Sequence, residues 1–198
     1  MRNYQITRNK FLDRDERTRL LENTKKMSLQ DIRKGNTTWP KRLMLVNLAI
    51  YSGLRVSEIA MLRVEDIKLN TDSPSMFVRN GKGSKSRDVY IDTILAGEIR
   101  DFITQNELTG PLMANKQGKH YSTTALYLSF REARRAAGLR EGISIHSARH
   151  TYATFLLDRS GDLRAVQKAL GHSSLSMTIL YADVLPERAS AVAAMIRD

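Results

Sequence analysis

The stretch from Ile143 to Tyr181 constrains the chain more than any other. It sets apolar residues at helical spacing and puts serine, aspartate and glycine where helices start and stop. Ser147 offers an N-cap, and Ala148, Tyr152, Phe155 and Leu156 recur along one stripe, which predicts a helix from about Ser147 to Arg159. Asp162 caps a second, short helix carrying Leu163, Val166 and Leu170, and Gly171 suits the left-handed residue that ends it. Ser173 and Ser174 open a third segment, with Met177, Leu180 and Val184 facing inward and Tyr181 beside them, and Pro186 stops it.

Polar residues of one chemical kind collect at these helix ends. Arg149 falls in the first turn of the first helix, where unpaired N–H groups and the positive dipole end favour an anion, and His146, three residues earlier, can reach the same anion. The spacing describes a site shaped for phosphate. His172 stands at the exit of the second helix. His150 follows Arg149 directly, projects about 100° away on the helix, and is expected in a supporting, buried hydrogen bond.

Upstream the elements are mostly helical. Asp13 is a plausible cap for a charged helix within Phe11–Met27 that turns Leu20 and Leu21 inward. Trp39-Pro40 punctuates the chain, and Leu43–Tyr51 is apolar on most faces, as a buried helix is. After Ser52-Gly53, helical spacing resumes over Val56–Leu62, which places Arg55 at a helix start with Glu58 three residues on, either holding the guanidinium or forming an ordinary surface ion pair. Ser75–Val78 and Arg87–Ile91 are short β-type runs around a loop rich in Gly, Lys and Ser. That loop carries Lys82 between two glycines, and Arg79, Lys85 and Arg87 flank it; the cluster is either a phosphate-contacting arm or a solvated turn. Ile94–Gln105 and Tyr121–Gly138 complete the helices, the latter with Arg131, Arg134 and Arg135 on its outer face, a stripe that lies along DNA or simply in solvent. His120, just before that helix, reads as structural or exposed. The fold class is therefore mainly α with a small antiparallel β-sheet.

Charge and composition narrow the partner. Thirty-two Lys plus Arg against 21 Asp plus Glu leave a net charge of +11, which favours a polyanion such as nucleic acid over an acidic small molecule, the alternative being a merely basic soluble protein. The absence of cysteine rules out disulfides and thiol chemistry and suits a reducing cytoplasm. Four histidines without cysteine, and without an i, i+4 pair bracketing a glutamate, argue against a zinc site, and no P-loop is present; the expectation is no metal and no cofactor. No apolar run approaches the roughly 18 residues of a membrane span, and MRNYQITRNK lacks a signal peptide's apolar stretch.

His146-x-x-Arg149-His150, then Leu170-Gly171-His172, then Tyr181 nine residues after His172, is a succession that resembles the tyrosine recombinase (phage integrase) family. YSGLRVSEI (Tyr51–Ile59) resembles that family's first arginine box, and RNGKGSKSRDVYI (Arg79–Ile91) its lysine-bearing β-hairpin. The likeness runs from about Phe11 to Val184. The one visible departure is Ala148, where leucine is commoner.

The first ten residues are polar and read as disordered or as a linker, and the resemblance implies the tyrosine recombinase catalytic-domain fold over residues 11–198 with no N-terminal DNA-clamping domain, as in a catalytic fragment or a naturally short recombinase. It also implies site-specific cleavage and rejoining of DNA through a 3′-phosphotyrosyl intermediate, without metal or cofactor. In that scheme Tyr181 attacks, Arg55 and Arg149 clamp the non-bridging oxygens, Lys82 protonates the leaving 5′ oxygen, His146 handles the tyrosine's proton, and His172 supports the phosphate. The rivals are a type IB topoisomerase, which uses the same residues to relax supercoils, and a non-catalytic DNA-binding regulator, which has no need of the tyrosine. Four protomers would assemble on DNA, and the helix after Pro186 (ERASAVAAMI) either completes the core or docks on a neighbouring protomer.

Overall fold

A computed structural model describes residues 10–79 and 86–182 of the 198. Eight α-helices and a three-stranded sheet are defined among them: α1 (Arg14–Arg33), α2 (Thr38–Tyr51), α3 (Val56–Met61), β1 (Ile67–Lys68), β2 (Ser75–Val78), β3 (Arg87–Tyr90), α4 (Thr93–Gln105), α5 (Thr123–Ala136), α6 (Ile145–Ser160), α7 (Leu163–Leu170) and α8 (Ser176–Ala182). Mainly helical architecture with a small antiparallel sheet is thus what the chain adopts. The strands lie in sequence order, with Ile67 opposite Met76, Ser75 opposite Tyr90 and Val78 opposite Arg87.

Local chemistry accounts for most element starts. Asp13 caps α1 reciprocally: it accepts the Glu16 N–H at 2.8 Å while Glu16 accepts its own N–H at 3.2 Å. Pro40 does not interrupt α2 but sits in its first turn, where its missing N–H would have had no helical partner. Asp92, Ser122 and Asp162 cap α4, α5 and α7 one way only, each side chain accepting a backbone N–H of the first turn.

Helix α6 begins earlier than the serine pattern predicts. Ser144 is its N-cap, and Ser147, expected in that role, instead takes the Ser144 N–H on its hydroxyl at 3.1 Å. Burial of Ile143 and Ile145 draws the helix start back into the core. Arg149 therefore lies in the second turn of α6 rather than the first. Helix α8 is rotated from the expected stripe: Thr178 and Tyr181 are buried, whereas Met177 is exposed. Val184 lies outside the described residues.

Two apolar clusters hold the chain together. The larger surrounds α2, buried continuously from Met44 to Ile50, and takes in α1, α3, α4, α5 and the sheet. The smaller consists of Ala153, Leu157, Val166, Leu170 and Tyr181. Helix α6 belongs to both, with Ile145 and Ala148 in the first and Ala153 and Leu157 in the second. Ala148 is fully buried. None of the described helices is long and apolar enough to cross a membrane.

Candidate active site

At the joint between the two clusters a single carboxylate gathers three arginines. Arg55, the residue that precedes α3, bonds Glu58 twice, through its backbone N–H (2.8 Å) and its Nη1 (2.7 Å). Arg87, at the start of β3, grips the same carboxylate with Nη1 at 2.8 Å and Nη2 at 3.0 Å. Arg149 approaches from α6, its Nη1 3.9 Å from Glu58 Oε2. Burial alone would raise the Glu58 carboxyl, but hydrogen bonds from Arg87 and Arg55 and the charge of Arg87 override it and hold the group down at about 2.

The C-terminal end of α7 completes the clamp. A helix leaves its last carbonyls without partners and carries negative dipole there, so cations are drawn to it. Arg149 Nη2 donates to the Leu170 carbonyl at 2.8 Å and Arg55 Nη2 to that of Gly171 at 3.3 Å, and Arg149 Nη1 also donates to the Gly53 carbonyl. Burial, with Arg55's charge, brings Arg149 down to about 10, still charged at neutral pH. Both glycines are required by space as well as by their positive φ: a Cβ on Gly53 would stand 2.4 Å from the Tyr152 ring, and one on Gly171 2.7 Å from Arg87 Nε.

The histidines distribute differently from the order in which the sequence presents them. His150, expected only in support, has Nδ1 3.0 Å from the Tyr181 hydroxyl. His146, expected to serve the tyrosine, pairs through Nε2 with the Tyr127 hydroxyl of α5. His172 bonds Thr178 Oγ1 at 3.0 Å and stacks over Tyr181, ring centroids 6.3 Å apart at 13°. Burial first, then the charges of His146, Arg149 and Lys10, lower His150 to about 4. Burial followed by Arg149, Arg55 and Arg87 does the same to His172. Burial and Arg149 also lower His146. At neutral pH these rings are therefore uncharged, and His150, with its hydrogen on Nε2, can accept the phenol's O–H at Nδ1. Tyr181 is only 3% exposed.

Outlying basic residues divide into three kinds. Lys82 and Lys85 lie outside the described residues. Arg87, expected to face phosphate, is turned onto Glu58. Arg134, expected on the outer face of α5, is buried, and its Nη1 closes the following turn on the Arg140 carbonyl at 3.1 Å. Arg131 and Arg135 do remain on the surface, each more than half exposed and 3.6 and 3.7 Å from Glu132. Arg79 is half exposed and paired with Asp66 at 2.8 Å. His120 is structural, its Nδ1 2.8 Å from the Ala60 carbonyl. Sequence reasoning missed Tyr127 and the true partner of Arg87, because no local spacing links either residue to the one it touches.

Comparison with known proteins gives one answer. The phage integrase family model matches residues 10–188. Tyrosine recombinase XerA of Pyrococcus furiosus is 33% identical over 168 residues, covering 81% of this chain and 57% of that protein. Tyrosine recombinase XerD of Staphylococcus saprophyticus is 34% identical over 147 residues, covering 71% of this chain and 49% of its own length. The chain thus spans about half the length of the curated relatives it matches. Among solved structures, the XerH site-specific recombinase bound to palindromic difH substrate in a post-cleavage complex superposes with a TM-score of 0.79 at 25% identity, over 99% of this chain and 55% of that one.

Proposed function

Because this chain belongs to the phage integrase family, we propose that it cleaves and rejoins double-stranded DNA at a specific site, with Tyr181 as nucleophile. The observation that carries the reading is the convergence on Glu58 and on the end of α7 of Arg55 and Arg149, two forked cations suited to the two non-bridging oxygens of one phosphate. Tyr181 Oη forms a bond to phosphorus, the bond from phosphorus to the 5′ oxygen breaks, and Lys82 supplies that oxygen's proton. The 3′-phosphotyrosine retains the bond energy, so a 5′-hydroxyl from another strand reverses the step without ATP.

In the arrangement without DNA His150 is a proton acceptor within reach of Tyr181, and His146 can take that part only after leaving Tyr127. His172 orients the phenol by stacking and supports the phosphate. The substrate places the chain in the cytoplasm. Four protomers act together on two duplexes, with the segment after Pro186 docking on a neighbour.

Nicked duplexes drawn from a randomised pool by binding provide the test, since the nick lets the leaving strand diffuse away and traps the adduct. Wild type yields a protease-resistant phosphotyrosine that Tyr181→Phe abolishes; an adduct undiminished in that variant overturns the assignment. Adducts that relax supercoils but never exchange strands favour the topoisomerase chemistry instead. Lys82→Ala loses cleavage of the ordinary linkage but regains it on a 5′-bridging phosphorothiolate, whose thiolate leaves without a proton.

A further inference from the structure

Glu58 is the hub of the arginine clamp, yet the residue that grips it with both terminal nitrogens comes from the sheet, in the hairpin stretch whose expected catalytic residue is Lys82, and is itself expected only to contact phosphate. Each of its oxygens serves two donors. Oε1 takes Arg55 Nη1 and Arg87 Nη1, and Oε2 takes the Arg55 backbone N–H and Arg87 Nη2. The Arg87 side chain is 15% exposed and that of Glu58 2%. With one N–H of each terminal nitrogen on Glu58, its Nε buried and its head largely withdrawn from solvent, Arg87 is aimed at the carboxylate and not outward at a DNA phosphate. Its flank lies against Gly171, whose missing Cβ leaves the room, so the same side chain braces the end of α7 whose carbonyls receive Arg55 and Arg149.

We infer that Arg87 is a positioning residue for phosphate transfer: from β3 it locks the Glu58 carboxylate and the α7 terminus, and through them sets the spacing of Arg55 and Arg149. The inference rests on the function proposed above, but its geometry can be tested without DNA. A forked donor is needed because a carboxylate held by Arg55 alone can rotate and carry that guanidinium with it. Among the described residues the charged groups facing Glu58 are Arg55 from the start of α3, Arg87 from β3 and Arg149 from α6.

Arg87→Gln and Arg87→Lys decide the matter with three measurements. In adduct formation on the nicked duplex, Arg87→Gln slows the step at saturating DNA by about a hundredfold, as loss of one preorganised contact does, while affinity for the same duplex changes by less than about twofold. Arg87→Lys, which keeps the charge but not the fork, recovers only part of the rate and stands in if the glutamine variant does not fold. Carbon-detected NMR titration of Glu58 in the DNA-free protein then gives a midpoint near 2 in wild type and a higher one in both variants.

A DNA-contacting role for Arg87 would show the opposite split, with affinity lost, the salt dependence reduced by about one counterion, and the rate at saturation kept. That outcome, or an unmoved Glu58 titration, overturns the inference. A wild-type protein that forms no adduct refutes the functional reading instead, and the Glu58 titration still decides whether Arg87 sets the carboxylate.

Discussion

Arg55 and Glu58 stand on the larger cluster, in which α2 is wrapped on every side, whereas Tyr181 and His172 stand on a cluster that counts five buried residues among those described, contributed by α6, α7 and α8. The polar networks differ in kind. Glu58 is held by two arginines at once, and the Arg149 guanidinium bonds both the Gly53 and the Leu170 carbonyls. On the other side rings meet hydroxyls, His172 on Thr178 and His150 on Tyr181, each at 3.0 Å. Charged, forked contacts fix the carboxylate that must keep its place while charge moves, whereas the phenol stands on the smaller apolar cluster. Stability in proteins is divided in this way between rigid scaffolds and elements that open at low cost. Helix α6, and Arg149 on it, joins the two regions.

The largest effect therefore belongs to Arg149. Arg149→Ala leaves the Gly53 and Leu170 carbonyls buried without their donor and removes half of the clamp. Adduct formation falls by about a thousandfold, on the order of 4 kcal/mol of transition-state stabilisation, and the denaturant midpoint falls as well because buried polar groups lose their partners. Arg149→Lys recovers part of the midpoint but not the rate, since an ammonium cannot span both carbonyls. If hydrogen exchange of α8 is unchanged in Arg149→Ala, the two regions are not joined through this side chain.

Next comes the small cluster itself. Leu170→Ala opens a cavity worth roughly 2–5 kcal/mol, and the loss falls on one region. Amides of α7 and α8 exchange faster while those of α2 and α4 keep their protection. Leu48→Ala in the larger cluster costs a similar amount but lowers protection throughout. Uniform loss in both variants would mean that the molecule has one cooperative unit and that the contrast between its halves is only one of size.

Much of this was legible in the chain before any coordinates. Capping residues and apolar stripes located α1, α4, α5, α6 and α7, because capping and burial at helical spacing are local properties. Errors arose where a longer-range term prevailed. Ser144 displaced Ser147 as the cap because two neighbouring isoleucines are buried. Thr178 took the inward place expected of Met177 because His172 satisfies its hydroxyl, and a hydropathy pattern ranks the threonine too low. Arg134 was read as surface because a guanidinium normally is, but the Arg140 carbonyl offered it a buried partner. Proximity of Arg55 to Arg149 was anticipated from motif order and not from any measurable spacing, and the grip of Arg87 on Glu58 left no trace in the sequence at all.

Acid sharpens the comparison by a smaller amount. His150 and His172, both lowered to about 4, bind fewer protons folded than unfolded between that value and their ordinary 6.5. The stability they allow is fully present above pH 6.5 and is lost as pH falls through about 4. Glu58, lowered to about 2 from 4.5, contributes stability that is complete above 4.5 and disappears as pH falls toward 2. Between pH 6.5 and 4.5 the histidines weaken their surroundings, His150 and His172 on the tyrosine side and His146 beside Tyr127, while Glu58 does not. Hydrogen exchange at pH 5 should show faster opening of α7 and α8 than at pH 7, relative to intrinsic rates, with α3 unaltered. Simultaneous weakening of α3 would show that the arginine clamp is not independently held.

The smallest effect lies outside both regions and tests whether binding and chemistry are separable. Arg131 is 55% exposed at its side chain and loosely paired with Glu132, so it contributes field rather than geometry. Arg131→Gln should change stability by less than about 0.5 kcal/mol and reduce the slope of log affinity against log salt by about one. The adduct rate at saturating DNA should not change. Arg134→Gln, three residues on along the same helix, should do the reverse: it gives up the bond that closes the turn after α5, lowers the unfolding midpoint and leaves the salt slope alone. Two arginines of one stripe, equivalent by spacing, then separate by burial alone. A salt slope reduced equally in both variants would mean that Arg134 leaves its buried position when DNA arrives, and that α5 responds to substrate as α8 does.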